Sequence, residues 1–121
     1  AAAGNSGGSV QYPGVYPEAI AVAALAPDET IPKFSSRGAQ VAFIAPGVGV
    51  KSTIPGGGYD NFAGTSMATP HLTGLGALAV ARGAHGLNAG AAALRRAATP
   101  VAGLAASEQG AGVVDAARLV R

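Results

Sequence analysis

Two continuous apolar runs of strand length, Ala19 to Ala26 and Val41 to Ala45, stand out in the first half of the chain; Pro27-Asp28-Glu29-Thr30 breaks the first and Pro46-Gly47 the second. Runs without polar alternation are expected of parallel strands covered on both faces, so they predict an α/β fold. Ala1 to Ala3 reads as the end of another small-residue strand, passing into a turn over Gly4 to Gly8. Tyr12 to Pro17 is a loop whose prolines fix φ where no ladder is wanted. Lys51 to Ile54 and Tyr59 to Phe62 flank Pro55-Gly56-Gly57-Gly58, which predicts a hairpin. From Gly64 the chain enters an apolar stretch, Leu72 to Ala81, that predicts a buried helix stopped by Arg82-Gly83, with Pro70 in its first turn. Asn88 is placed to cap a helix from Ala89 to about Ala97, and Asp115 to cap a terminal helix ending at Arg121.

Composition sharpens this picture. Charged residues make up only 12% of the 121, against about 25% in ordinary soluble domains. A chain so poor in charge has little with which to cover its outside, so part of its surface is expected to be buried against something else. The net charge is +2, and the eight basic residues are scattered rather than striped. With six aromatic residues and no basic tract, the pattern argues against nucleic-acid binding. There is no cysteine, which excludes disulfides and thiolate metal sites. The longest apolar run is too short and too glycine-rich to span a bilayer, so no membrane partner is expected. Gly110-x-Gly112 alone is no nucleotide motif, and no cofactor is implied.

The chemistry concentrates at Gly64-Thr65-Ser66-Met67-Ala68-Thr69-Pro70-His71. Taken alone, Thr65 or Ser66 before an apolar helix is an ordinary N-cap. The eight residues together resemble the nucleophile motif of the subtilisin-like serine proteases, and further resemblance runs along nearly the whole chain, through Ala3-Gly4-Asn5, Tyr12 to Pro17, Phe34 to Gly38 and Gly110 to Ala117. The resemblance implies the C-terminal part of a subtilisin-like parallel-sheet fold, with residues 1–121 as one partial catalytic domain. It implies Ser66 as nucleophile and Asn5 as a donor to the oxyanion. It also implies a substrate pocket drawing on Ala2, Ala3, Gly4, Gln11, Gly14 and Thr65, with no strict requirement for a charged side chain where Gln11 sits, a peptide or protein substrate, and secretion from the cell. Relatives place carboxylates after Phe-Ser-Ser-x-Gly as part of a cation site, whereas this chain has Gln40 and Ala42. No tight metal site is expected there, although backbone carbonyls remain able to hold a weak monovalent ion. Glu18, Asp28 and Glu29 are read as solvated loop charges.

A serine nucleophile needs a base, and both histidines follow Ser66. His71, five residues on along one helix, points ~140° away and is read as a packed, hydrogen-bonded histidine. His85 lies ~28 Å of helical rise beyond the serine and is read as surface. The subtilisin order is Asp, His, Ser, so both partners should precede Ser66; the α/β-hydrolase order and a Ser-x-x-Lys arrangement fail as well. The expectation is therefore a chain completed by a complementary N-terminal segment carrying the aspartate and the histidine, and inactive alone. The alternatives are a non-catalytic structural or interaction module derived from a protease and, on its apolar helix alone, a self-associating or membrane-active fragment.

Overall fold

A computed structural model describes residues 1–121. The chain is α/β. A four-stranded sheet in the order β1 (Ala21–Leu25), β2 (Val41–Pro46), β6 (Val113–Val114), β5 (Ala98–Thr99) forms its centre. β1, β2 and β6 run parallel, and β5 closes the far edge antiparallel to β6. At the near edge Ala2 bridges in parallel to Val22, with the Ala3 amide donating to the Val22 carbonyl. The small-residue strand end anticipated at Ala1 to Ala3 therefore extends the sheet by one more short row.

The two apolar runs become β1 and β2 because both of their faces are covered. Side chains alternate from face to face along a strand, and so Val22, Phe43 and Ala45 join one core with residues of the helices. Ala21, Ala23 and Ile44 join a second core with Ala3, Val10 and Val41 on the other side. The helical layer consists of α1 (Thr65–Ala81) and α2 (Leu87–Ala97), which contribute Ala68, Leu72, Leu94 and Ala97 to the first core. Two short helices, α3 (Ala106–Gln109) and α4 (Ala116–Leu119), complete the chain.

The hairpin forms as predicted, β3 (Val50–Thr53) pairing antiparallel with β4 (Tyr59–Phe62) around glycines 56 to 58, all with positive φ. It stands clear of the core and leads directly to α1. Helix α1 stops where Gly83, at φ 92°, lets its amide and that of Ala84 turn back onto Val80 and Ala79. Asp115 caps α4 by accepting from the Ala117 and Arg118 amides, although that helix ends at Leu119 rather than Arg121.

Three expectations need correction. Helix α2 starts at Leu87 behind Gly86, whose φ of 83° makes the turn without a side-chain cap, so Asn88 lies inside the first turn. Pro70 is not in the first turn of α1 but five residues past its start. Helix α1 is buried on one side only, at Thr65, Ala68, Leu72 and Ala79, while Leu78 and Val80 are 42% and 48% exposed.

Candidate active site

The start of α1 is unusual in its capping. Gly64 at the N-cap has no side chain to offer the free amides of the first turn. Asn5, 60 positions earlier in the chain, supplies the cap: its Oδ1 accepts from the Thr65 amide at 2.9 Å and from the Thr65 hydroxyl at 2.9 Å. Thr65 Oγ1 in turn accepts from the Gly4 amide at 3.1 Å, and Thr65 is fully buried. This clamp fixes the Asn5 carboxamide, because an N–H donor can face only the oxygen end. Its Nδ2 amino group is left as the free donor.

Segment 1–7 is held in place by the Phe34-Ser35-Ser36 turn. The Ser36 amide donates to the Gly4 carbonyl at 2.9 Å, the Gly7 amide to Phe34, and the buried Ser35 hydroxyl accepts from the Ala24 amide. That turn therefore joins the Asn5 loop to β1, which accounts for buried serines at positions 35 and 36.

Ser66 is exposed immediately after Thr65, in the turn whose amides lack intrahelical acceptors. It lies on a ridge between two clefts. One, of about 480 Å³, is lined by Ser66, Asn5, Thr65, Gly4, Ala2 and Gln11 together with Ser6, Tyr12 and Pro13. The other, of about 320 Å³, lies between the hairpin and α1 and is lined by Val50, Lys51, Ser52, Ser66, Met67, Pro70 and His71. Gln11 folds its amide over Gly4 so closely that a β-carbon at position 4 would collide with it. Only glycine serves at that point, where φ is 113°.

Of the anticipated substrate-binding residues, Ala3 and Gly14 do not line the Ser66 cleft. Ala3 is fully buried behind it, its amide bonded to Val22 and its carbonyl to Gln11. Gly14 is buried too and borders a different cavity. Ser6 lines the cleft but carried no motif that would have marked it. His71 is hydrogen-bonded as anticipated, Nδ1 to the Met67 carbonyl at 2.9 Å, but it is exposed rather than packed. His85 is exposed. Asp28 is a loop charge: its Oδ1 accepts from the Thr30 hydroxyl and amide, and these bonds hold its carboxyl below the usual range. No three of the His, Asp and Glu side chains converge in a way that would hold a metal ion.

The family model described as "Subtilase family" matches residues 1–113. The chain belongs to the subtilase family. It is 53% identical over 79 residues to alkaline elastase YaB of Bacillus sp. (strain YaB), a match that spans 64% of this chain and 21% of that protein. With halolysin of Haloferax mediterranei it is 43% identical over 124 residues, covering 99% of this chain and 23% of the relative. Among solved structures, the prenylagaramide maturation protease PagA superposes with a TM-score of 0.82 at 27% identity, over 98% of this chain and 47% of that one. This subtilase chain thus spans about a quarter or less of the curated relatives named here and about half of the solved protease.

Proposed function

We propose that this chain contributes the nucleophile and one oxyanion donor to a serine endopeptidase, and that it works with a complementary N-terminal segment carrying the aspartate and the histidine. The observation that carries this reading is the Asn5–Thr65 clamp, which turns the Asn5 amino group free in the same cleft as the Ser66 hydroxyl. In this reading Ser66 Oγ attacks the scissile carbonyl carbon and gives its proton to the incoming histidine. The carbonyl oxygen, now negative, accepts from Asn5 Nδ2 and from the Ser66 amide. Collapse breaks the C–N bond, the histidine returns the proton to the leaving amine, and water then releases the acyl group and restores Ser66.

The substrate is a peptide laid along the sheet edge by strand addition. Its side chain before the scissile bond enters the cleft beside Ala2, Gly4 and Gln11. Because Gln11 presents an uncharged amide there, charged side chains are not required. Secretion fits this reading, and no helix of the chain is long and apolar enough to cross a membrane.

A fluorophosphonate probe tests the proposal. Labelling is expected at Ser66 when the complementary segment is added, and not with the chain alone or with Ser66→Ala. Asn5→Ala should slow labelling by about 10²–10³-fold, a magnitude known from subtilisin itself rather than obtained from this geometry. An unlabelled Ser66 in the reconstituted protein would leave a non-catalytic module as the better description.

A further inference from the structure

Thr65 fixes the Asn5 side chain, but a different part of the chain fixes the backbone that carries it. Segment 4–8 lies against the turn at 34–37. The Ser36 amide donates to the Gly4 carbonyl at 2.9 Å, the Gly7 amide to Phe34 at 2.8 Å and the Arg37 amide to Gly8 at 2.8 Å, while the Ser6 and Ser36 hydroxyls meet at 3.3 Å. Two loops bonded to each other can still shift together unless something outside them holds the pair. Ser35 does so on the side of β1, through the Ala24 amide.

On the opposite side the hold is Arg37. Its Nη1 donates to Glu108 Oε1 at 2.7 Å, and the neighbouring Gly38 amide donates to the Ser107 carbonyl at 2.8 Å. The second carboxylate oxygen of Glu108 accepts from the Ala105 amide at 2.9 Å, so one side chain both caps α3 and grips Arg37. The chain leaving α3 is seated on β2: the Ala111 amide donates to Ala42, and a β-carbon at Gly110 would collide with the Val41 and Ala42 carbonyls. This is the chain's one ion pair, and it is more than a contact in water. Although the Arg37 side chain is 39% exposed, its Nε is buried without a hydrogen-bond partner, and Glu108 is only 19% exposed. A buried N–H left unpaired is unfavourable, and the charge-assisted bond to Glu108 is the interaction that offsets it.

We propose that Arg37 and Glu108 are positioning residues for the oxyanion donor: their pair holds segment 4–8 where the Asn5 amino group shares the cleft with Ser66. Neither residue lines that cleft, and the proposal rests on the role given above to Asn5. Loss of the pair frees the loop on the α3 side, so fewer molecules hold Asn5 in place at any moment. Turnover falls, while binding of substrate along the cleft is largely kept.

Arg37→Gln and Glu108→Gln test this, because a glutamine at 108 can still accept from the Ala105 amide. In the chain alone, hydrogen exchange followed by NMR should quicken about tenfold at the Ser36, Arg37 and Thr65 amides in either variant. The Leu72 and Leu94 amides, in α1 and α2, should change by less than about twofold. The double variant should be no worse than either single one. Arg37→Lys should restore most of the protection, since the bond is made through one nitrogen only. In the protein reconstituted with the complementary segment, kcat on a peptide ester should fall about tenfold in both glutamine variants, with KM within about twofold. Faster exchange confined to the Gln109 and Gly110 amides, or spread equally to Leu72 and Leu94, would overturn the assignment. Altered exchange with unchanged kcat overturns this proposal alone, whereas no turnover by the unaltered reconstituted protein overturns the peptidase reading beneath it.

Discussion

Helices α1 and α2 lie on the same side of the sheet, yet their sequences are matched to their surroundings in opposite ways. Helix α2 is sharply two-sided: Ala91, Leu94 and Ala97 are buried, and Arg95 and Arg96 face outward. Helix α1 is apolar around its whole circumference, from Leu72 through Leu75 and Leu78 to Val80, yet only four of its residues are buried. A surface helix ordinarily carries one apolar stripe, and one that is apolar all round is ordinarily buried all round. The difference teaches that α2 is fitted to this chain's own core, whereas α1 leaves an apolar side exposed. The N-terminal segment proposed above would cover that side.

The comparison can be broken first at its inner faces. Leu94→Ala in α2 and Leu72→Ala in α1, at positions 2% and 5% exposed, should each cost about 2–5 kcal/mol in urea unfolding. If Leu72→Ala proves nearly neutral while Leu94→Ala does not, α1 is not anchored to this core at all. Next comes the clamp at the head of α1. Thr65→Val removes the hydroxyl between Gly4 and Asn5 and should cost about 1–3 kcal/mol, with the Gly4 amide losing hydrogen-exchange protection. The outer face should respond in the opposite sense. Leu78→Ser with Val80→Ser should leave the stability of the chain alone within about 0.5 kcal/mol per site. The same pair should weaken association with the complementary segment about tenfold, as measured by calorimetry.

The smallest effect serves as a control that touches neither helix. Hydrogen bonds from Thr30 hold the folded-state pKa of Asp28 below its ordinary value of 3.8. Its contribution to the β1–β2 turn is therefore complete above that value and is lost as the pH falls through the lower folded-state one. The Thr30 amide shift should follow this titration equally well with and without the segment, and Asp28→Asn should abolish it.

What the sequence disclosed and what it hid divide along the same physical line. Ala21–Leu25 and Val41–Pro46 were legible because burial on both faces leaves a run with no polar alternation. The hairpin was legible because Pro55-Gly56-Gly57-Gly58 punctuates it. The two-residue strands β5 and β6 and the four-residue α3 are too short to impose any period, and they passed unread as elements. His71 was expected to be packed as a histidine of the motif, whereas it sits on an exposed side of α1, bonded only to the Met67 carbonyl one turn back. In the candidate site, Ser66 and Asn5 were marked by motif. The bond between Asn5 and Thr65, like the place of Ser6 in the cleft, depends on folding and left no local trace. A capping side chain is normally sought next to its helix, and here it comes from elsewhere in the chain.

That distance has a consequence for how the cleft comes into being. Asn5 and Thr65 are separated by 60 positions, so their contact closes a long loop, whose entropy must be lost before either hydrogen bond returns anything. Until residue 65 has been synthesised, no partial chain can hold the Asn5 carboxamide in the orientation that the clamp gives it. Assembly of the cleft is thus tied to non-local contacts of the kind that slow folding.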